Sequence, residues 1–170
     1  MEFNEIIKKR FSCRKLSDEK VPDELLEEII NTGLTAPTGI NYQPYRIFLI
    51  KSEEAKAKLR QANEFNFGAE VYIVVGYNPK EAWVREFDKF NFGPVDAAIV
   101  ATHIMLKIID LGLSTTWVGH FDKALLRELL PEMEGMELIA LFPIGYAHKD
   151  AVPHRLHFAS KPKEELIKEL

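Results

Sequence analysis

The stretch Val95–Leu113, VDAAIVATHIMLKIIDLGL, decides how the rest of the chain is read. It approaches the length of a membrane span, yet Asp96, His103, Lys107 and Asp110 lie within it. Each charged side chain near a bilayer centre costs about 3 kcal/mol, which argues against lipid on either side. A helix that is apolar nearly all round is then one buried by protein nearly all round. The spacing predicts a central core helix, part of whose surface is shared with a second subunit.

Downstream of it, Ser114–Val118 reads as a strand, Asp122 as the N-cap of a helix, and Leu138–Ile144 as another strand. A final helix is expected over Lys163–Leu170. Upstream, VYIVVGY at Val71–Tyr77 has the continuous apolar character of a strand buried on both faces. Glu53–Asn63 is expected to be helical and Tyr45–Ile50 to be a strand. Between Thr35 and Pro44 the sequence TAPTGINYQP is broken by glycine and proline. A helix opens at Pro22, where a missing N–H costs nothing, and Asp23 and Glu24 suit its positive end. Phe3, Ile6 and Ile7 form one face of a short first helix ending near Arg10. In residues 79–93, Trp83, Phe87 and Phe90 fall at helical spacing, as either an aromatic lid or ordinary core packing. Helices and strands are mixed, and no βαβ unit opens with a glycine-rich turn. The expected class is α+β, a small sheet with helices packed around it, in one domain spanning 1–170.

Composition narrows the function. The chain has 170 residues, 46% hydrophobic and 28% charged, which is ordinary for a globular protein. Lys and Arg total 22 against 26 Asp and Glu, a net charge of −4 with no basic stripe, so no nucleic-acid partner is expected. Cys13 is alone, which leaves neither a disulfide nor a cysteine-based zinc site. MEFNEIIKKR carries acidic residues where an export signal wants positive charge. A cytoplasmic protein with no membrane partner is expected.

Four segments could carry chemistry. In Arg10-Phe11-Ser12-Cys13-Arg14 an extended backbone would turn residues 10, 12 and 14 to one side. Two guanidiniums flanking a hydroxyl could grip a phosphate at one end and a polar ring edge at the other, or simply end a helix in solvent. Ala36–Pro44 offers Thr38, Asn41 and Gln43 on an irregular backbone suited to a heteroaromatic edge, or to a turn with no ligand. At Trp117–Asp122 a strand meets a helix, and Gly119 admits close approach to a free backbone N–H. Arg155 is either a second phosphate grip or a surface residue. Ser12 and Lys15 make an S-x-x-K pair, but neither S-D-N nor K-T-G occurs to support it. His148, His154 and His157 cluster without metal-site spacing, so a surface role is expected and no metal.

Taken in order, R-x-S-x-R, A-P-T-G-x-N-x-Q-P, L-G-L-S-T-T-W-V-G-H-F-D, P-I-G-Y and a late arginine resemble the FMN-dependent nitroreductase family, from about Ile6 to Arg155. The resemblance implies an α+β fold around a central antiparallel sheet, and a homodimer with FMN at the interface. It implies that Arg10, Ser12 and Arg14 bind the flavin and that Arg155 is a late phosphate ligand. Pro37, Thr38, Gly39 and Asn41 would reach the flavin from the partner subunit. Gly119 and His120 would face flavin N5, and Asn63 the pyrimidine side, where Asn66 competes for the role. No side chain is then an obligatory acid or base, although His120 could touch the acceptor. The implied activity is ping-pong hydride transfer through flavin N5, from NADH or NADPH to a nitroaromatic, quinone or similar small acceptor. Two other outcomes stay open: a flavin-binding sensor without efficient turnover, or a dehalogenating or flavin-cleaving branch. Thr38, Tyr45 and Glu70 stand where the family commonly has Ser, Trp and Pro. The segment between Tyr77 and Val95 is short, so the substrate class does not carry over.

Overall fold

A computed structural model describes residues Met1–Leu170. Strands β1 (Tyr45–Ile50), β2 (Val71–Tyr77) and β3 (Glu137–Ile144) form an antiparallel sheet in the order β1-β2-β3. Every residue of β2 is buried, because helices cover both faces. Val71, Ile73, Val75 and Tyr77 point into one core with α2 (Asp23–Leu34) and α4 (Gly93–Asp110). Tyr72 and Val74 point into the other, with Leu59 of α3 (Glu53–Ala62) and Leu126 of α5 (Lys123–Leu129). The period-2 alternation of a strand thus feeds two cores, which explains why VYIVVGY shows no polar face.

Helix α4 is the central element. Ala97, Val100, Ala101, Ile104 and Ile108 are buried against the sheet and α2. Val95, Ala98, Ile99 and Leu106 are only half-buried, and they line two shallow apolar grooves that meet at Thr102 and His103. Helix α1 (Phe3–Lys9) borders the second groove through Phe3 and Ile6. No helix is long and apolar enough to cross a membrane.

Three elements differ from expectation. Ser114–Val118 is not a continuous strand; it touches β3 only through isolated bridges, Ser114 to Gly145 and Val118 to Leu141. Between those bridges stands Pro143, which has no N–H, and its carbonyl takes the Thr115 hydroxyl instead at 2.7 Å. Residues 79–92 are not helical. They form a turn closed by Arg85 N–H to Phe90 O (2.9 Å), with a bridge between Val84 and Asn91. The last helix, α6, covers only Lys163–Leu166, and every residue from 159 to 170 is exposed. A helix this short, with no residue buried, has little to offset its nucleation cost.

The 83–92 turn is held by charge as well as by rings. Arg85 lies over Phe87 (4.8 Å) and Phe90 (5.1 Å) and makes two hydrogen bonds to the Asp88 carboxylate. The hydrogen bonds from Arg85, then that from the Phe90 N–H, lower the Asp88 carboxyl from 3.8 to about 2. A depressed carboxyl stabilises the folded turn fully above pH 3.8, and that contribution is lost as the pH falls towards 2. Trp83 packs on Phe92 at 4.9 Å and reports on the turn. In a Trp117→Phe background, its emission should hold steady down to about pH 4 and shift below it. Asp88→Asn should remove that acid step; an identical titration in both proteins would refute the assignment.

Candidate functional site

After α1 the chain turns extended at Arg10 (φ −63, ψ 120). It is pinned by Cys13 N–H to Thr115 O (3.0 Å) and Leu16 N–H to Phe67 O (2.9 Å). Cys13 and Leu16 enter the core, while Arg10, Ser12 and Arg14 turn out together into a cleft of about 320 Å³. The other wall is the 3₁₀ turn Arg155–Phe158 and the residue before it, which contribute His154, Leu156 and His157. Arg155 itself is exposed on that turn and does not line the cleft. The cleft therefore holds two guanidiniums, a hydroxyl and two imidazoles, and no carboxylate.

A second cleft, of about 490 Å³, gathers Arg60, Gln61, Asn63, Gly119, His120 and Asp122. It forms because Asp122 N–H bonds Ala62 O at 2.8 Å, which joins the start of α5 to the end of α3. Asn63 is buried, and its amide both accepts from Phe65 N–H (3.2 Å) and donates to Phe65 O (3.1 Å). Asn66 lies outside this cleft and accepts from Gly68 N–H. The N–H groups of Gly119, His120 and Phe121 make none of the chain's backbone hydrogen bonds. A Cβ built on Gly119 would meet nothing within 4 Å, and its φ lies outside the left-handed region. Neither backbone strain nor internal packing calls for glycine here, and the space in front of it suits close approach of a flat ligand. The His120 imidazole packs edge-on against Phe65, with ring centroids 5.8 Å apart.

Pro37, Thr38, Gly39 and Asn41 line neither cleft. Their loop stands at the N-terminal end of α4, with Pro37 and Asn41 exposed. Ile40 (φ 44), Asn41 (φ 59) and Gln43 (φ 51) all adopt the left-handed region, which is costly for a β-branched residue such as Ile40. Two contacts impose that shape: Gly39 N–H to Asp96 Oδ1 at 2.8 Å, and Gln43 N–H to Thr38 Oγ1 at 3.1 Å. Asp96 is 1% exposed, and its Oδ2 has no partner in the chain.

Sequence reasoning grouped Arg10, Ser12 and Arg14 through strand alternation, and the structure brings them together. It also unites Asn63 with Gly119 and His120. It missed Asp96, whose acid in the first turn of an apolar helix was the available signal, and Arg60, which carried none. His154 and His157 were visible as a cluster, but their cleft forms only in three dimensions.

A sequence profile of the nitroreductase family matches residues 7–64 and 61–146. A nitroreductase family protein of Clostridium difficile 630 has a solved structure with a TM-score of 0.91 and 34% identity, covering 99% of this chain and 98% of that one. An Archaeoglobus fulgidus protein, provisionally named an NADH dehydrogenase/NAD(P)H nitroreductase, is 28% identical over 81% of this chain and 80% of its own length. Human iodotyrosine deiodinase 1 is 23% identical over 98% of this chain and 68% of its own. A provisionally named nitroreductase of Exiguobacterium sibiricum, solved in complex with FMN, shares the fold at a TM-score of 0.84 and 22% identity, covering 100% and 98% of the two chains.

Proposed function

This chain belongs to the nitroreductase family, and on that premise we propose that it is a cytoplasmic FMN-dependent oxidoreductase. It takes hydride from NADH or NADPH and passes electrons to a nitroaromatic, a quinone or a similar small acceptor. Gly119 carries the reading: an uncrowded, unstrained glycine beside free N–H groups has no role within its own chain. The donor sets fit the cofactor. The acid-free cleft of Arg10, Ser12 and Arg14 suits a phosphate, and the N–H groups at 119–121 suit the edge of a polar ring.

Bound FMN would supply the hydride chemistry. The protein's part is placement and charge. Arg10 and Ser12 would bind the phosphate end, and Arg14 would set positive charge beside the ring, which favours its anionic reduced form. Gly119 and His120 would hold the reactive edge through backbone donors, and Asn63 fixes the backbone of Phe65, whose ring His120 rests against. Pro37, Thr38, Gly39 and Asn41, remote from both clefts of their own chain, complete the site of a second copy. Asp96 holds them in a strained shape ready for that contact.

Pairing of two copies through the half-buried face of α4 also covers its apolar grooves, over an interface of more than about 2,000 Å². Sedimentation at micromolar concentration should show a dimer; a monomer that retains flavin would overturn this arrangement. The activity is tested by colour. The purified protein should be yellow, bleach with NADH or NADPH, recover with a quinone, and release FMN when denatured. Yellow protein that never bleaches would refute the oxidoreductase. Similarity to iodotyrosine deiodinase favours one second reading, in which the same electrons remove iodine from an aromatic substrate. Iodide release from iodotyrosine, outpacing quinone reduction, would establish it.

A further inference from the structure

His154 and His157 face the cleft of Arg10, Ser12 and Arg14 from the opposite wall. Each ring is fixed by its own surroundings. His154 Nδ1 accepts the Leu156 N–H at 3.3 Å, so the proton of the neutral imidazole sits on Nε2. That leaves the Nε2–H of the neutral ring free to donate. His157 is held edge-on by Phe11 (6.5 Å) and Phe158 (4.9 Å).

The charged surroundings favour an anion. Arg10 and Arg14 face the pair from the extended segment, and Arg155 follows His154 on the same turn. The nearby acid, Asp150, is already engaged by Lys15 (3.2 Å) and His148 (3.4 Å), and no carboxylate lines the cleft. Four nitrogen-rich side chains and a hydroxyl converge on one space with nothing in the chain to neutralise them.

We propose that His154 and His157 are ligands of a phosphate monoester, donating hydrogen bonds to the phosphate of the cofactor from the wall opposite Arg10 and Arg14. The proposal rests on the FMN reading above and extends it to a pair of residues on the facing wall. A phosphate monoester stays largely dianionic above its second pKa of about 6, and its three acceptor oxygens suit a cleft whose polar side chains can all donate.

The test uses the full-length protein loaded with FMN or with riboflavin, which lacks the phosphate. Each complex is diluted at one fixed pH, and the fluorescence of released flavin gives Kd. His154→Ala with His157→Ala should weaken FMN binding tenfold or more, as loss of a charge-assisted contact does, and leave riboflavin binding alone. The double Gln variant keeps donors, so it should hold part of the affinity that the double Ala variant loses. FMN binding with unchanged affinity in both variants would overturn the proposal and leave the cofactor reading intact. Failure of the parent protein to bind either flavin would remove both. A variant that raises KM for NADPH but not NADH, with FMN retention untouched, would assign the phosphate to the nicotinamide nucleotide and overturn the FMN assignment of these histidines.

Discussion

Gly93→Val is expected to cost the fold about 3 kcal/mol, the top of the usual range for overpacking, and to lower Tm by roughly 6–12 °C. Gly93 is the first residue of α4, and a Cβ on it would sit 2.1 Å from Cδ2 and 2.3 Å from Cε2 of Tyr77. Those are overlaps with a ring, not with the loose end of a flexible chain. Tyr77 closes β2, where it pairs with Tyr45 on one side and Glu137 on the other, and it is itself buried. The ring cannot swing clear without opening the end of the sheet. Retreat of α4 is no easier, because Gly93 N–H bonds Asn91 Oδ1 at 2.9 Å and Asp96 one turn on anchors the 37–43 loop. Urea unfolding measures the loss. Gly119→Ala serves as the comparison, since its Cβ meets nothing and its stability should match the parent's within about 0.5 kcal/mol. A Gly93→Val protein equally close to the parent would mean that the Tyr77 contact relaxes freely and that the packing account is wrong.

That glycine also marks where sequence reasoning reaches and where it stops. The elements it placed correctly carry their evidence locally. Tyr45–Ile50 and Val71–Tyr77 match their strands end to end, because β-branched and aromatic residues run between clear breakers. Asp122 was legible as a cap, and its carboxylate accepts the Leu125 N–H. Ser114–Val118 has equally good strand chemistry, but its pairing fails at Pro143, almost thirty residues away. Trp83, Phe87 and Phe90 imitate a helical stripe, yet the Arg85–Asp88 contact closes a turn through the middle of it. The site divides in the same way. Alternation along an extended chain suffices to group Arg10, Ser12 and Arg14. Only tertiary packing sets His154 and His157 opposite them, or buries Asp96 against the Gly39 amide.

At the second cleft, two neighbouring substitutions should have unequal consequences. Gly119→Val should lower the rate of flavin reduction by NADH or NADPH about a hundredfold or more, as loss of aligned donors at a reacting edge does. The branched side chain would fill the open space in front of residue 119 and keep the ring from the N–H groups of 119–121. Because that space is empty of the chain's own atoms, unfolding should not change. His120→Ala should stay within a few-fold of the parent in both half-reactions. Its imidazole is exposed, rests edge-on against Phe65 and makes no hydrogen bond in the chain that would aim it at an acceptor. A general acid would be worth about a hundredfold or more. Stopped-flow measurement of the two half-reactions separates backbone from side chain. If His120→Ala loses a hundredfold in the oxidative half-reaction alone, the imidazole delivers a proton to the acceptor. If only Gly119→Val is impaired and its unfolding is normal, the backbone holds the reactive edge, and what this chain contributes there is placement rather than acid or base.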